Sequence, residues 1–153
     1  MNILLIEDTL TKIKAVKSFL LNSNITIENI ECRHSWQSGL LELINNSEKY
    51  DFLILDMSMP RYDADIADSN EEFETYAGWE ILKEINRLNL SIPSCIFTSY
   101  DYFGEGSEAI NREEINESLK QEFPNIYKGL IYFRNSESTW KDKLMKVLTE
   151  VQS

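Results

Sequence analysis

A chain of 153 residues with 42% hydrophobic and 27% charged side chains has room for one well-buried core and does not have the composition of a disordered segment. Its formal charge of -11 and pI near 4.5 argue against duplex DNA or an anionic membrane as a direct partner, because phosphate surfaces are gripped by clustered Lys and Arg and no basic stripe occurs. No signal-peptide pattern opens the chain and no apolar run is long enough to span a bilayer, so a cytoplasmic location is expected.

Asn2–Ile6 is a short apolar run followed at once by Glu7 and Asp8. Thr9 is placed to cap a helix in which Leu10, Ile13, Val16 and Leu20 recur at helical spacing to about Leu21, where Asn22-Ser23-Asn24 breaks it. A second, less buried strand is expected over Ile25–Arg33. Ser35 then caps a helix with Trp36, Leu40, Leu43 and Ile44 on its inner face.

Tyr50–Pro60 holds the third strand. Phe52–Leu55 is unbroken and apolar, as in a strand covered on both faces of a parallel sheet, and Asp56 closes it. An ionised carboxylate is too costly to leave inside such a run, so Asp56 emerges at the carboxyl end, where open α/β sheets keep their ligand crevice. A turn-capping role for Asp56 is the plainer alternative. If the first and third strands lie side by side, Glu7, Asp8 and Asp56 converge, and three such charges call for a hard divalent cation such as Mg²⁺.

Arg61–Ala77 is acidic and long for a connection of this type, which usually takes about 2–6 residues. Asp63, Asp65 and Glu74 have the spacing of the first, third and last ligands of an EF-hand loop. Ala67 and Asp68 occupy the fifth and sixth positions, where a ligand and a glycine belong, so the segment reads as a solvated acidic loop and a candidate partner surface.

Gly78 opens a helix with Trp79, Leu82, Ile85 and Leu88 inward, and Ser94–Phe97 is the fourth strand, ended by Thr98-Ser99. Tyr100–Lys128 combines Tyr100, Tyr102 and Phe103 with Gly104 and Gly106, then an irregular helix marked by Ile110, Ile115, Leu119 and Phe123. The glycines are too sparse for a phosphate-binding loop. Leu130–Phe133 is the fifth strand, and from about Glu137 a last helix shows Trp140, Leu144, Val147, Leu148 and Val151 on one face. Cys32 and Cys95, without close Cys or His partners, read as small core residues, and His34 has no Ser or Cys to form a triad with.

This alternation predicts an α/β fold: a doubly wound, five-stranded parallel sheet of the flavodoxin-like kind, with extended loops after strands 3 and 4. The acidic pair Glu7-Asp8, the D-x-x-x-P of Asp56 to Pro60, and Thr98 after a later strand resemble the receiver domain of two-component response regulators. The resemblance runs from Met1 to about Val151. It implies one receiver-like domain over 1–153, standing alone without an output domain, and a phosphoacceptor that is not a turnover enzyme.

By that resemblance, Asp56 takes a phosphoryl group from the phosphohistidine of a histidine kinase or phosphotransfer protein. Asp8, Asp56 and the backbone carbonyl of Ser58 hold Mg²⁺, Glu7 acts through water, and the Thr98 hydroxyl meets a phosphoryl oxygen. The output is a contact with a downstream protein, or storage of phosphate as a sink. A receiver also has a lysine at the end of its fifth strand, and here Phe133-Arg134-Asn135-Ser136 offers none. Two alignments stay open. One makes Arg134 the substitute cation, although its planar fork differs from a compact ammonium; the other puts Asn135 at the lysine position and Tyr132 at the family's switch aromatic, with no cation left. The missing lysine and the extended segments leave room for a phosphorylation-independent pseudo-receiver that acts as a protein-interaction module. A dehalogenase-type hydrolase is disfavoured, since it wants an acid two positions after the nucleophile, where Ser58 stands.

Overall fold

The computed structural model describes residues 1–63 and 73–153. In chain order its strands are β1 (Asn2–Ile6), β2 (Asn29–Arg33), β3 (Phe52–Leu55), β4 (Met59–Pro60), β5 (Phe73–Glu74), β6 (Ser94–Thr98), β7 (Tyr102–Phe103), β8 (Ile110–Asn111) and β9 (Tyr127–Tyr132). Its α-helices are α1 (Leu10–Leu21), α2 (Trp36–Asn46), α3 (Ala77–Arg87), α4 (Arg112–Glu122) and α5 (Thr139–Gln152). Five of the strands form one parallel sheet in the order β2-β1-β3-β6-β9. The sheet is doubly wound, as the alternation of elements predicts.

Successive strand residues point to opposite faces, and this sorts the core into two halves. Ile3 and Leu5 of β1 face the layer built by Ile13, Val16 and Leu20 of α1 and Trp140, Leu144 and Leu148 of α5. Leu4 and Ile6 face the other layer, with Leu43 of α2, Ile81 and Ile85 of α3, and Ile115 and Leu119 of α4. Because both faces are covered, Phe52, Leu53, Ile54 and Leu55 are all fully buried, which is why β3 shows no polar alternation. Each such side chain contributes roughly 1.5–3 kcal/mol of burial.

Several boundaries differ from the sequence reading. β2 begins at Asn29 rather than Ile25, because its parallel pairing starts at Asn2↔Asn29 and no residue of β1 lies upstream to pair with. β9 begins at Tyr127, and Lys128 and Gly129 interrupt its apolar pattern where the register with β6 shifts between Ser94 and Ile96. Gly129 sits there at φ +139, a backbone conformation that side chains resist. On α2, Ile44 is exposed, and the inner positions are taken by Gly39, Glu42 and Leu43. Leu10, expected inward on α1, is 65% exposed.

Two short antiparallel pairs occupy the extended segments. β4 pairs with β5, flanking the acidic stretch. Asp65, Ala67 and Asp68 of the EF-hand-like spacing lie outside the described residues. β7 pairs with β8, and α4 then starts as a regular helix, its Asn111 cap accepting from the Glu114 N–H at 2.9 Å. Phe103 is buried, while Tyr100 and Tyr102 are exposed. Among the described residues no helix is long and apolar enough to cross a membrane.

Candidate functional site

The sheet order puts β1 and β3 next to each other with Ile6↔Leu55 as the last pair, so Glu7 and Asp56 leave the sheet side by side. The backbone holds them there: the Asp56 N–H donates to the Ile6 carbonyl at 3.0 Å, and the Glu7 N–H donates to the Arg33 carbonyl at 2.9 Å. Glu7, Asp8 and Asp56 bring carboxylate oxygens within 4.8 Å of one another, the convergence that the two acidic strand ends predict.

A fourth group completes the cluster. The Lys12 ammonium lies 2.7 Å from Glu7 Oε1 and donates to Asp56 Oδ2 at 3.1 Å and to the Phe97 carbonyl at 3.3 Å. Its side chain is 5% exposed, as is that of Asp56. Sequence reasoning missed it. A signal was present, because Lys12, Val16 and Leu20 share four-residue spacing on the buried stripe of α1, and Lys12 lies four residues after Asp8. Leu10 drew the apolar face toward the wrong side of the helix.

Burial first, and then the neighbouring Asp56 charge, push the Glu7 carboxyl up to about 8 against the opposing pull of Lys12. Asp8, partly exposed, is also raised, by burial and then by Asp56. Burial works against the charge on Lys12, yet the Asp56 and Glu7 carboxylates outweigh it and hold the ammonium above its ordinary value.

Counted as fully ionised, three carboxylates and one ammonium carry a formal charge of -2, that is, -3 plus +1, and in the metal-free site the proton held by Glu7 relieves part of that excess. Among the described residues Asp56 Oδ1 is buried without a hydrogen-bond partner. An unpartnered carboxylate oxygen beside a second, partly exposed carboxylate suits a hard divalent ion with oxygen ligands, so the residues present fit Mg²⁺.

A cleft of about 340 Å³ opens over these groups, and Asp8, Lys12, Asp56, Ser58, Ser99 and Phe133 are among its lining residues. The Ser58 hydroxyl donates to the Thr75 carbonyl at 2.6 Å, tying the segment after β3 to the approach to α3. Thr98 is fully buried at the end of β6; its Oγ1 accepts from the Tyr100 N–H at 3.1 Å, which leaves its own proton to donate. Ser99, rather than Thr98, borders the cleft.

The strand-end candidates go elsewhere. Arg134 is exposed, its guanidinium 5.4 Å from the centre of the Tyr132 ring and its Nε donating to the Tyr132 hydroxyl at 3.2 Å. Tyr132 also carries the Arg112 guanidinium over its ring at 3.7 Å. Phe133 is buried, its ring tilted against Phe97 and edge-on to Trp140. Arg134 is thus not among the residues lining the cleft, and the cation in contact with Asp56 comes from α1. His34 is exposed, and its Nδ1 lies 3.1 Å from the Glu7 carbonyl, which can only accept and so calls for a proton on Nδ1.

The described residues also contain a polar cleft of about 480 Å³ around Arg33, Glu42, Asn46 and Tyr50. There Glu42 accepts from the Tyr50 hydroxyl and the Asn46 amide and pairs with Arg33, so the carboxylate is already satisfied.

No protein-family model matches the chain. The chain is 28% identical over 152 residues to the Detocs response regulatory protein DtcB of Enterobacter cloacae (strain JD6301), spanning 99% of this chain and 100% of that one. A chain of the CheX-CheY-BeF3-Mg+2 complex from Borrelia burgdorferi superposes with a TM-score of 0.64 at 14% identity, covering 100% of this chain and 90% of its own length. A response regulator receiver domain protein from Clostridium thermocellum does so with a TM-score of 0.61 at 20% identity, covering 99% and 94%. At these identities the superpositions speak for the fold, and the fold is that of response-regulator receiver domains.

Proposed function

Starting from the receiver fold of this chain, we propose that it is a response regulator that accepts a phosphoryl group on Asp56 from a histidine kinase or phosphotransfer protein, in a reaction that depends on Mg²⁺. The observation that carries this reading is the meeting of Glu7, Asp8 and Asp56 within 4.8 Å, with Asp56 Oδ1 buried and unpartnered among the described residues. A carboxylate attacks a phosphoryl group only if the repulsion between their oxygens is offset.

Asp8, Asp56 and the Ser58 carbonyl would hold the ion, with Glu7 acting through water. Bound there, Mg²⁺ supplies charge neutralisation between the carboxylate and the phosphoryl oxygens. An Asp56 oxygen forms the new O–P bond as the P–N bond of the donor phosphohistidine breaks, and the electron pair leaves on the imidazole, which takes a proton from water. A carboxylate nucleophile has no proton to give up, so the chain needs no general base. Burial at the strand end excludes bulk water from one side of Asp56, and the Thr98 hydroxyl, buried behind the cleft's Ser99, would have to turn toward the cleft to donate to a phosphoryl oxygen. The chain acts as a phosphoacceptor rather than a turnover enzyme, and its output is a protein contact or the withdrawal of phosphate from a kinase that has another target.

Incubation with a small phosphodonor and Mg²⁺, followed by intact mass, tests this. One added phosphoryl group is expected, absent without Mg²⁺ and absent in Asp56→Asn. No adduct from small donors or from a cognate kinase would remove the phosphoacceptor reading.

A second reading has its own support. The Lys12 ammonium already pairs with two of the three carboxylates, and the exposed Tyr100 lines the cleft next to Ser99. A pseudo-receiver that binds a partner without phosphorylation would keep these features and give no adduct.

A further inference from the structure

We infer that Lys12 supplies, from helix α1, the ammonium that pairs with the phosphoryl group on Asp56; this role rests on the phosphoacceptor reading and assigns its cation. Among the described residues, Lys12 is the cation in contact with Asp56, at 3.1 Å, and it borders the cleft into which a phosphoryl group would enter. The end of β9 offers a ring instead, since Phe133 lines that cleft and Arg134 is engaged with Tyr132 outside it.

The contacts of the ammonium support the role. Lys12 donates to Asp56 Oδ2 at 3.1 Å and to the Phe97 carbonyl at 3.3 Å, and forms an ion pair with Glu7 Oε1 at 2.7 Å. When Asp56 becomes an acyl phosphate, its carboxyl oxygens lose their charge and the phosphoryl oxygens gain it. The N–H on Asp56 then turns to a phosphoryl oxygen, while the Glu7 ion pair and the hydrogen bond to the Phe97 carbonyl hold the ammonium in place. A group anchored in this way needs little reorganisation when the new charge arrives. Taking an ammonium out of water is costly, and an apolar residue at this point of the Lys12-Val16-Leu20 stripe would have served packing alone.

The test compares labelling by a small phosphodonor in Mg²⁺, read by intact mass. Lys12→Met alone strands two buried carboxylates, so the main comparison is Glu7→Gln against Glu7→Gln/Lys12→Met, which restores the formal charge of -2 carried by Asp8 and Asp56. Calorimetry with Mg²⁺ alone checks that both variants still bind the ion. The double variant is expected to label on the order of 100-fold more slowly than Glu7→Gln, the scale of losing one charge-stabilising donor. Lys12→Ala is expected to regain part of its rate with added ethylammonium, which a packing role would not allow, and Arg134→Ala to label like wild type. Equal rates for the single and double Glu7 variants, no rescue by ethylammonium, or a loss in Arg134→Ala matching that of Lys12→Ala would overturn the assignment to Lys12. A wild-type chain that binds Mg²⁺ and takes no phosphoryl group from any donor would instead overturn the phosphoacceptor reading, and the role of Lys12 with it.

Discussion

Gly78 meets the backbone of Asp56 so closely that a Cβ added to the glycine would sit 2.5 Å from the Asp56 carbonyl oxygen and 3.0 Å from Met57 Cα. The Gly78 N–H donates to the Met57 carbonyl at 2.9 Å, so the first turn of α3 is clamped against the segment that carries the phosphoacceptor candidate. The neighbours are main chain and cannot swing aside. Glycine is required here by contact, not by conformation.

Gly78→Ala therefore forces α3 and the Asp56–Met57 backbone apart. The expected cost is about 1–3 kcal/mol, as for overpacking, and it should be read by denaturant titration. Mg²⁺ affinity, measured by calorimetry, is expected to fall as well, because the ligand-bearing backbone is what moves. A variant as stable as wild type with unchanged Mg²⁺ affinity would show that the junction yields freely.

The Glu7 carboxyl, raised from 4.5 to about 8, sets a pH dependence with a definite sign. The folded chain holds this proton more tightly than the unfolded chain does, so folding is favoured at and below about pH 4.5. That advantage is lost as pH rises through about 8. Relative to Glu7→Gln, which cannot ionise, metal-free wild type should lose thermal midpoint across that window, and Mg²⁺ should recover it most above about pH 8. A constant difference between the two proteins from pH 4.5 to 8 would contradict a carboxyl raised in this way.

Away from the cleft, Glu42 accepts from Tyr50 and Asn46 and pairs with Arg33 at 3.2 Å, joining α2, the end of the following 3₁₀ turn and the edge strand β2. Burial opposes its charge, but the Tyr50 hydroxyl and then Asn46 and Arg33 hold the carboxyl below its ordinary value of 4.5. The stabilisation is thus present above about pH 4.5 and lost as pH falls further. Tyr50→Phe is expected to cost about 1–3 kcal/mol at roughly neutral pH, the scale of a hydrogen bond to a charged group, with the deficit shrinking in acid. Chemical denaturation at about pH 7 and about pH 3 checks both parts.

Residue order along the chain was enough to specify the sheet and the acidic end of the cleft. The runs Asn2–Ile6 and Phe52–Leu55 are unbroken because both faces of a parallel strand are buried, and the charges that follow them can only sit at the strand ends. Periodicity resolves such elements because it reflects burial along a single segment. Which cation answers those charges emerges only once the elements are packed. Lys12 and Asp56 stand 44 positions apart, and the ammonium reaches the carboxylate because α1 packs across the sheet with its Lys12-Val16-Leu20 stripe inward and Leu10 turned to solvent. A lysine on a helix reads as solvated until the helix is rotated into place, and that rotation is set by contacts between elements distant in the chain. The same holds for Arg134, whose position after β9 suggested the cleft and whose side chain is instead held outside by Tyr132.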